Sequence, residues 1–172
     1  MKRALVLIGL SWLAILAGMV LMKEFTLRTG QDILLKTVPV DPRDLFRGDY
    51  VVLAYEISTL DLTQLPADRS SFAPGDRVYV AVVPHGRYHV AARVDSQPPE
   101  GQGVFLKGQV RSVAGRSLRM EYGIESYFVP EGKGRVLEQA RGTHLDVKAS
   151  VDRFGHAVIK GLLLEGKEVA FK

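Results

Sequence analysis

The stretch Leu145-Asp146-Val147-Lys148-Ala149-Ser150-Val151-Asp152 alternates apolar and polar side chains at every step. Successive side chains of a strand point to opposite faces of a sheet, so this period of two describes a strand with one face in a core. A helix would group its apolar residues three and four apart instead. The same alternation recurs upstream. Leu118, Met120 and Tyr122 alternate with Arg119 and Glu121, and Val104, Leu106 and Val110 with Lys107, Gln109 and Arg111. Val78, Val80 and Val82 lead through Pro84-His85-Gly86-Arg87 to Tyr88, Val90, Ala92 and Val94, which the period places on one shared face.

Turn-forming pairs separate these runs: His85-Gly86, Ala114-Gly115, Phe154-Gly155 and Glu165-Gly166. Links this short join antiparallel neighbours. Ser96 to Gly103, with Pro98, Pro99 and two glycines, reads as a longer surface loop. The one helical pattern downstream is short, Gly134 to Arg141. The expectation is a mainly β protein, an antiparallel β-barrel or sandwich-like domain of about eight to ten strands, because closure protects sheet edges.

Before this domain comes Ala4 to Met22, ALVLIGLSWLAILAGMVLM, with no charged residue. At about 1.5 Å per residue it extends about 28 Å as a helix, close to the hydrocarbon thickness of a bilayer. A lone segment satisfies its backbone hydrogen bonds there only as a helix. Lys2 and Arg3 precede it, and the positive-inside rule keeps that end cytoplasmic. Its exit, Gly18-Met19-Val20-Leu21-Met22-Lys23, offers no small-x-small cleavage pair, and the run is longer than a signal-peptide core. The expected division is an uncleaved single-pass membrane anchor over 1–24 and an extracytoplasmic β-rich domain over 25–172.

With 172 residues there is room for one domain and the anchor, and not for two full domains. The absence of cysteine excludes disulfides, thiolate nucleophiles and Cys-based zinc or iron–sulfur sites. Lys2 and Arg3 supply two of the net charge of +4, and both signs are interspersed through the rest. Nucleic-acid binders concentrate basic residues on one face, so no nucleic-acid partner is expected.

The most distinctive segment is Val40-Asp-Pro-Arg-Asp-Leu-Phe-Arg-Gly-Asp-Tyr50, leading into Val51-Val-Leu-Ala-Tyr-Glu-Ile57. Asp41, Pro42 and Asp44 are turn formers, with Pro42 fixing φ. Gly48 accepts positive φ and Asp49 can bond nearby backbone amides, together starting a strand. Along that strand Val51, Leu53, Tyr55 and Ile57 face one way, and Tyr50, Val52, Ala54 and Glu56 the other. The two tyrosines therefore point to opposite faces.

Within this segment Gly48-Asp49-Tyr50-x-x-Leu53-x-Tyr55 resembles the signature of the GDYXXLXY family of bacterial proteins. Tyr122-Gly-Ile-Glu125-Ser-Tyr127-Phe-Val-Pro130-Glu131-Gly132 is similar to that family's second recurring block. Some members sit beside, or are fused to, multi-span membrane proteins. The resemblance implies a membrane-associated role and no particular reaction. Two readings of the motif stay open. In one, a Gly-Asp corner, a core Leu and a Tyr tied to the backbone simply build the fold. In the other, Asp41, Arg43, Asp44, Arg47 and Asp49 converge with Glu125, Glu131 and the tyrosines of the second block at one rim of the barrel.

Other constellations are weaker. Arg47-Gly48-Asp49 is an RGD tripeptide at the start of a strand, where adhesion through it is not expected. His85 and His89 have a helical metal spacing, but Pro84 and Gly86 place them on a hairpin, so neither a metal site nor a cofactor is expected. Glu125 and Glu131, with Glu121 or Glu138, are candidates for a carboxylate pair acting on glycans. No serine nucleophile motif of the signal-peptidase kind follows the anchor. The favoured function is a non-enzymatic module docking on another envelope or polytopic membrane protein. The alternative is an envelope hydrolase or cell-wall glycan binder using the Asp, Arg, Glu and Tyr residues of the two blocks.

Overall fold

The computed structural model describes residues 2–39, 46–47, 50–101, 103–129 and 145–169. Helix α1 covers Lys2–Thr29 and is followed by strand β1 (Gln31–Val38). The first motif supplies β2 (Phe46–Arg47), β3 (Tyr50–Val52) and β4 (Ala54–Tyr55), then one 3-10 turn, Glu56–Ser58, and β5 (Thr59–Asp61). A long meander follows: β6 (Arg77–His85), β7 (Tyr88–Asp95), β8 (Val104–Ala114) and β9 (Ser117–Glu121). The chain closes with β10 (Ser126–Phe128), β11 (Leu145–Val151), β12 (Ala157–Leu164) and β13 (Lys167–Glu168). The predicted helical stretch 134–141 lies outside the described residues.

The strands form three sheets, ordered β13-β12-β11-β1-β4, β10-β3-β2 and β5-β9-β8-β6-β7. Every pairing between these strands is antiparallel. The β1 and β7 edges meet where the Leu34 N–H donates to His89 Nδ1 at 3.3 Å, so the sheets wrap into a nearly closed barrel. The mainly β expectation holds. The thirteen strands among the described residues exceed the expected eight to ten because the motif region breaks into segments of two or three residues.

One core fills the interior, with Ile33, Leu35, Val51, Tyr55, Val78, Val80, Leu106, Leu118, Val147 and Leu162 all buried. The alternation of β11 is reproduced, with Val147, Ala149 and Val151 buried. Its opposite face is not simply solvated, because Asp146 and Ser150 are buried too. Tyr88 Oη and Arg87 Nη2 approach Asp146 Oδ2 at 3.1 and 3.2 Å, and the end of α1 covers Ser150. The expected shared face of Tyr88, Val90, Ala92 and Val94 requires correction. Ala81 pairs with Arg93 and Val82 with Ala91, leaving Ala92 as the extra residue of a β-bulge. A bulge shifts the phase of alternation, so Val94 and Ala91 meet the core while Val90 does not.

The strand expected over 50–57 is likewise interrupted. Leu53 turns its N–H to the carbonyl of Glu125 at 2.8 Å, and Glu56–Ser58 coils into the 3-10 turn. The predicted facing survives: Val51, Leu53, Tyr55 and Ile57 are buried, whereas Tyr50 is 50% exposed.

Helix α1 is long and apolar enough to cross a bilayer. Val6, Leu7, Ile8, Leu10, Trp12 and Leu13 point round the whole helix and are all more than half exposed, so its circumference has no cover among the described residues. An all-round apolar helix of this kind suits lipid. It does not end at the expected boundary after residue 24. It continues to Thr29, and only Gly30 separates it from β1. Ser150 Oγ donates to the Thr26 carbonyl at 2.7 Å, and a Cβ on Gly30 would lie 2.4 Å from that Oγ and 2.9 Å from the Val151 carbonyl oxygen. The missing side chain lets β11 close directly on the helix end.

Asp32 ties β1 to its neighbours, receiving Lys160 Nζ at 2.7 Å and Lys148 Nζ at 3.1 Å. Burial acts to raise its carboxyl, but these two ammonium groups outweigh it and hold it below the ordinary 3.8. Asp152 is also held below 3.8, where burial is outweighed by the N–H groups of His156 and Phe154 and by the His156 ring. A carboxyl depressed by folding contributes stability in full above its unfolded value and loses it as pH falls through its folded value. Thermal unfolding in detergent is therefore expected to show a falling melting temperature below about pH 4, with a shallower acid slope in Asp32→Asn.

Candidate functional site

The two motif blocks meet. Strand β10 pairs with β3, placing Tyr127 opposite Val51 and Phe128 opposite Tyr50. The contact continues inward through side chains. Tyr55, 1% exposed, donates its hydroxyl to the Ile124 carbonyl, and its own N–H donates to Ser58 Oγ at 3.1 Å. Tyr122 returns the link, donating its hydroxyl to the Ile57 carbonyl at 2.7 Å. Each block thus holds the other's backbone through a buried phenol. Burial, reinforced by the nearby Glu125 carboxylate, pushes both phenols up, so they remain protonated donors at physiological pH.

Glu125 closes the second block on itself. Its Oε1 accepts the Tyr122 N–H and its Oε2 accepts the Gly123 N–H at 2.8 Å. The Tyr122 ring lies against the backbone of Gly108, where a Cβ would stand 2.9 Å from its Cδ1. Alanine at 108 would therefore displace the ring that carries the Ile57 bond.

Of the other residues singled out, Leu53 is core and Tyr50 forms an exposed edge-to-face pair with Phe128, centroids 5.5 Å apart. Tyr127 is half-buried and lines an open pocket. Arg47 pairs its backbone with Tyr50 in the β2–β3 ladder. Asp41, Arg43, Asp44, Gly48, Asp49 and Glu131 lie outside the described residues. His85 and His89 sit on opposite arms of the β6–β7 hairpin, as the sequence predicts, with His89 opposite Pro84.

A polar pocket of about 280 Å³ was not foreseen. It lies beside β8, lined by Arg77, Lys107, Gln109, Glu121, Tyr122 and His156 among others. Lys107 Nζ stands 3.2 Å from His156 Nε2, and His156 Nδ1 stands 3.1 Å from Asp152 Oδ2. Its members come from strands and a turn far apart in sequence, so no local spacing announces it. Glu121 is already paired with Arg111 at 3.3 Å.

A family model described as "GDYXXLXY protein" matches residues 12–162. The chain belongs to the GDYXXLXY family. The match begins within α1 and ends within β12, so the GDYXXLXY region takes in the helix-to-barrel junction as well as both motif blocks. Searches of curated proteins and of solved structures each returned no match. The family's namesake residues Leu53 and Tyr55 are fold-making in this chain, since both are buried and, among the described residues, Tyr55 bonds backbone groups and Ser58.

Proposed function

We propose that this GDYXXLXY protein is a non-enzymatic, membrane-tethered module that docks on a polytopic membrane protein, with its barrel on the extracytoplasmic side of a bacterial inner membrane. The observation that carries this reading is the helix. From Val6 to Met22 it is apolar and uncovered by any described residue, and it passes into the barrel with one intervening residue. Lys2 and Arg3 before it favour a cytoplasmic N-terminus.

The described motif chemistry points the same way. Tyr55, Tyr122 and Glu125 are engaged with backbone groups inside the chain, which leaves Glu125 poorly suited to act as one of a glycan-cleaving carboxylate pair. Asp41, Arg43, Asp44, Arg47, Asp49 and Glu131, the charged residues of the two motif blocks, are the candidates for partner contact.

Affinity purification from detergent-solubilised membranes tests this. A multi-span protein is expected to co-purify with wild type and to be lost with Asp49→Ala at unchanged melting temperature. Reproducible absence of any membrane protein from the wild-type sample defeats the reading.

A further inference from the structure

We propose that the barrel itself rests on the bilayer, through an aromatic and basic rim that enters the lipid headgroup layer beside the helix. This rests on the reading of α1 as a membrane span and goes beyond it, because a tethered domain need not touch the lipid.

The uncharged segment ends at Met22, and Lys23 and Glu24 are the first charged residues past it. Thr26 lies four residues on, about 6 Å along the helix axis. Headgroups add about 5–7 Å on each side of the hydrocarbon, so Thr26 stands within that layer. Yet Thr26 already touches the barrel. Its carbonyl accepts Ser150 Oγ, and its hydroxyl lies 3.4 Å from Asp152 Oδ2. The β11–β12 turn beyond Val151 is therefore level with the headgroups.

At the tip of that turn Phe154 is 56% exposed, with the Arg153 guanidinium 4.6 Å above its ring. A second contact lies closer still to the hydrocarbon. Lys23 shares an open pocket of about 180 Å³ with Tyr127, Phe128, Val158 and Ile159. Phe128 is 55% exposed and carries Tyr50 against it, 50% exposed. Phe25 on the helix is 66% exposed at the same level.

Exposed aromatics paired with basic groups are what the membrane interface accepts, ring toward the acyl boundary and cation toward phosphate. The carboxylates nearby do not oppose this. Glu24 is paired with Arg28 at 2.6 Å, and Asp152 is turned inward to the N–H groups of its own turn and to His156. Continuity with the helix selects lipid as the occupant, since the rim begins where the span ends.

The cysteine-free chain allows single nitroxide labels on the full-length protein, reconstituted in vesicles of phosphatidylethanolamine and phosphatidylglycerol. Labels at Phe154→Cys and Phe128→Cys are expected to be shielded from a water-soluble nickel chelate and open to oxygen. Lys167→Cys, beyond the other end of β12 and about 23 Å from Ala157 along the strand, should behave as an aqueous site. Leu13→Cys reports the span itself. If Leu13 is lipid-exposed while positions 154 and 128 are as accessible to nickel as 167, the rim proposal fails and the anchor stands. If Leu13 is aqueous, both fail. Shielding of 154 and 128 in native membranes but not in these vesicles would assign the rim to a protein and overturn the lipid assignment. Should labelled Phe128 not fold, Tyr50→Cys reads the same rim.

Discussion

Replacing Tyr55 by alanine is expected to lower the unfolding free energy by about 3–5 kcal/mol, in the range of large aromatic truncations in a packed core. The side chain is 1% exposed at the centre of the contact between the two motif blocks, and its loss would also orphan the Ile124 carbonyl. Tyr55→Phe keeps the ring and removes only the donor, so about 1–2 kcal/mol should be lost. Chemical unfolding in detergent, followed by circular dichroism, reads both. A Tyr55→Ala protein as stable as wild type would show that the buried phenol does not hold the blocks together. Tyr122→Phe, which orphans the Ile57 carbonyl, should match Tyr55→Phe within error if the two links are equivalent.

The second large effect is expected at the helix–barrel joint. Gly30→Val places branched carbons where even a Cβ would lie 2.4 Å from Ser150 Oγ and 2.6 Å from the Thr26 carbonyl oxygen. Overpacking of this kind costs about 1–3 kcal/mol, and here relief requires the helix end to part from β11. The distinguishing readout is geometric. With one spin label at Met22 and another at Lys160, the wild-type distance distribution should be narrow and that of Gly30→Val broad. An unchanged narrow distribution would mean that the joint accommodates the side chain and that the Ser150–Thr26 contact is not what fixes the angle.

Much of this was legible in the sequence. The period of two marked β6, β8, β9 and β11, and all four glycine-containing turns fall between paired strands. The facing of Tyr50 and Tyr55 followed from alternation alone, even though the strand carrying them is broken, because the break at Leu53 preserves the phase. Two features were hidden. The bulge at Ala92 has no signature in a run of small and β-branched residues, so the phase of β7 was misread. The closeness of α1 to β11 depends on Gly30 and Ser150, which are 120 positions apart and unremarkable singly. Of the site, Tyr55 as a backbone tie was anticipated, whereas its reciprocal in Tyr122 and the inward use of Glu125 needed the fold.

The single residue between helix and first strand has a mechanical meaning. With Thr26 bonded to Ser150 of β11 and Gly30 leaving no room between them, the barrel has little swivel on its post. Any roll of the helix about its axis becomes the same roll of the barrel, and, for a helix spanning a bilayer as proposed, any tilt becomes a lean of the whole domain. A neighbour gripping the helix within the lipid would thereby choose which side of the barrel looks toward it. The anchor is then a steering shaft as much as a mooring.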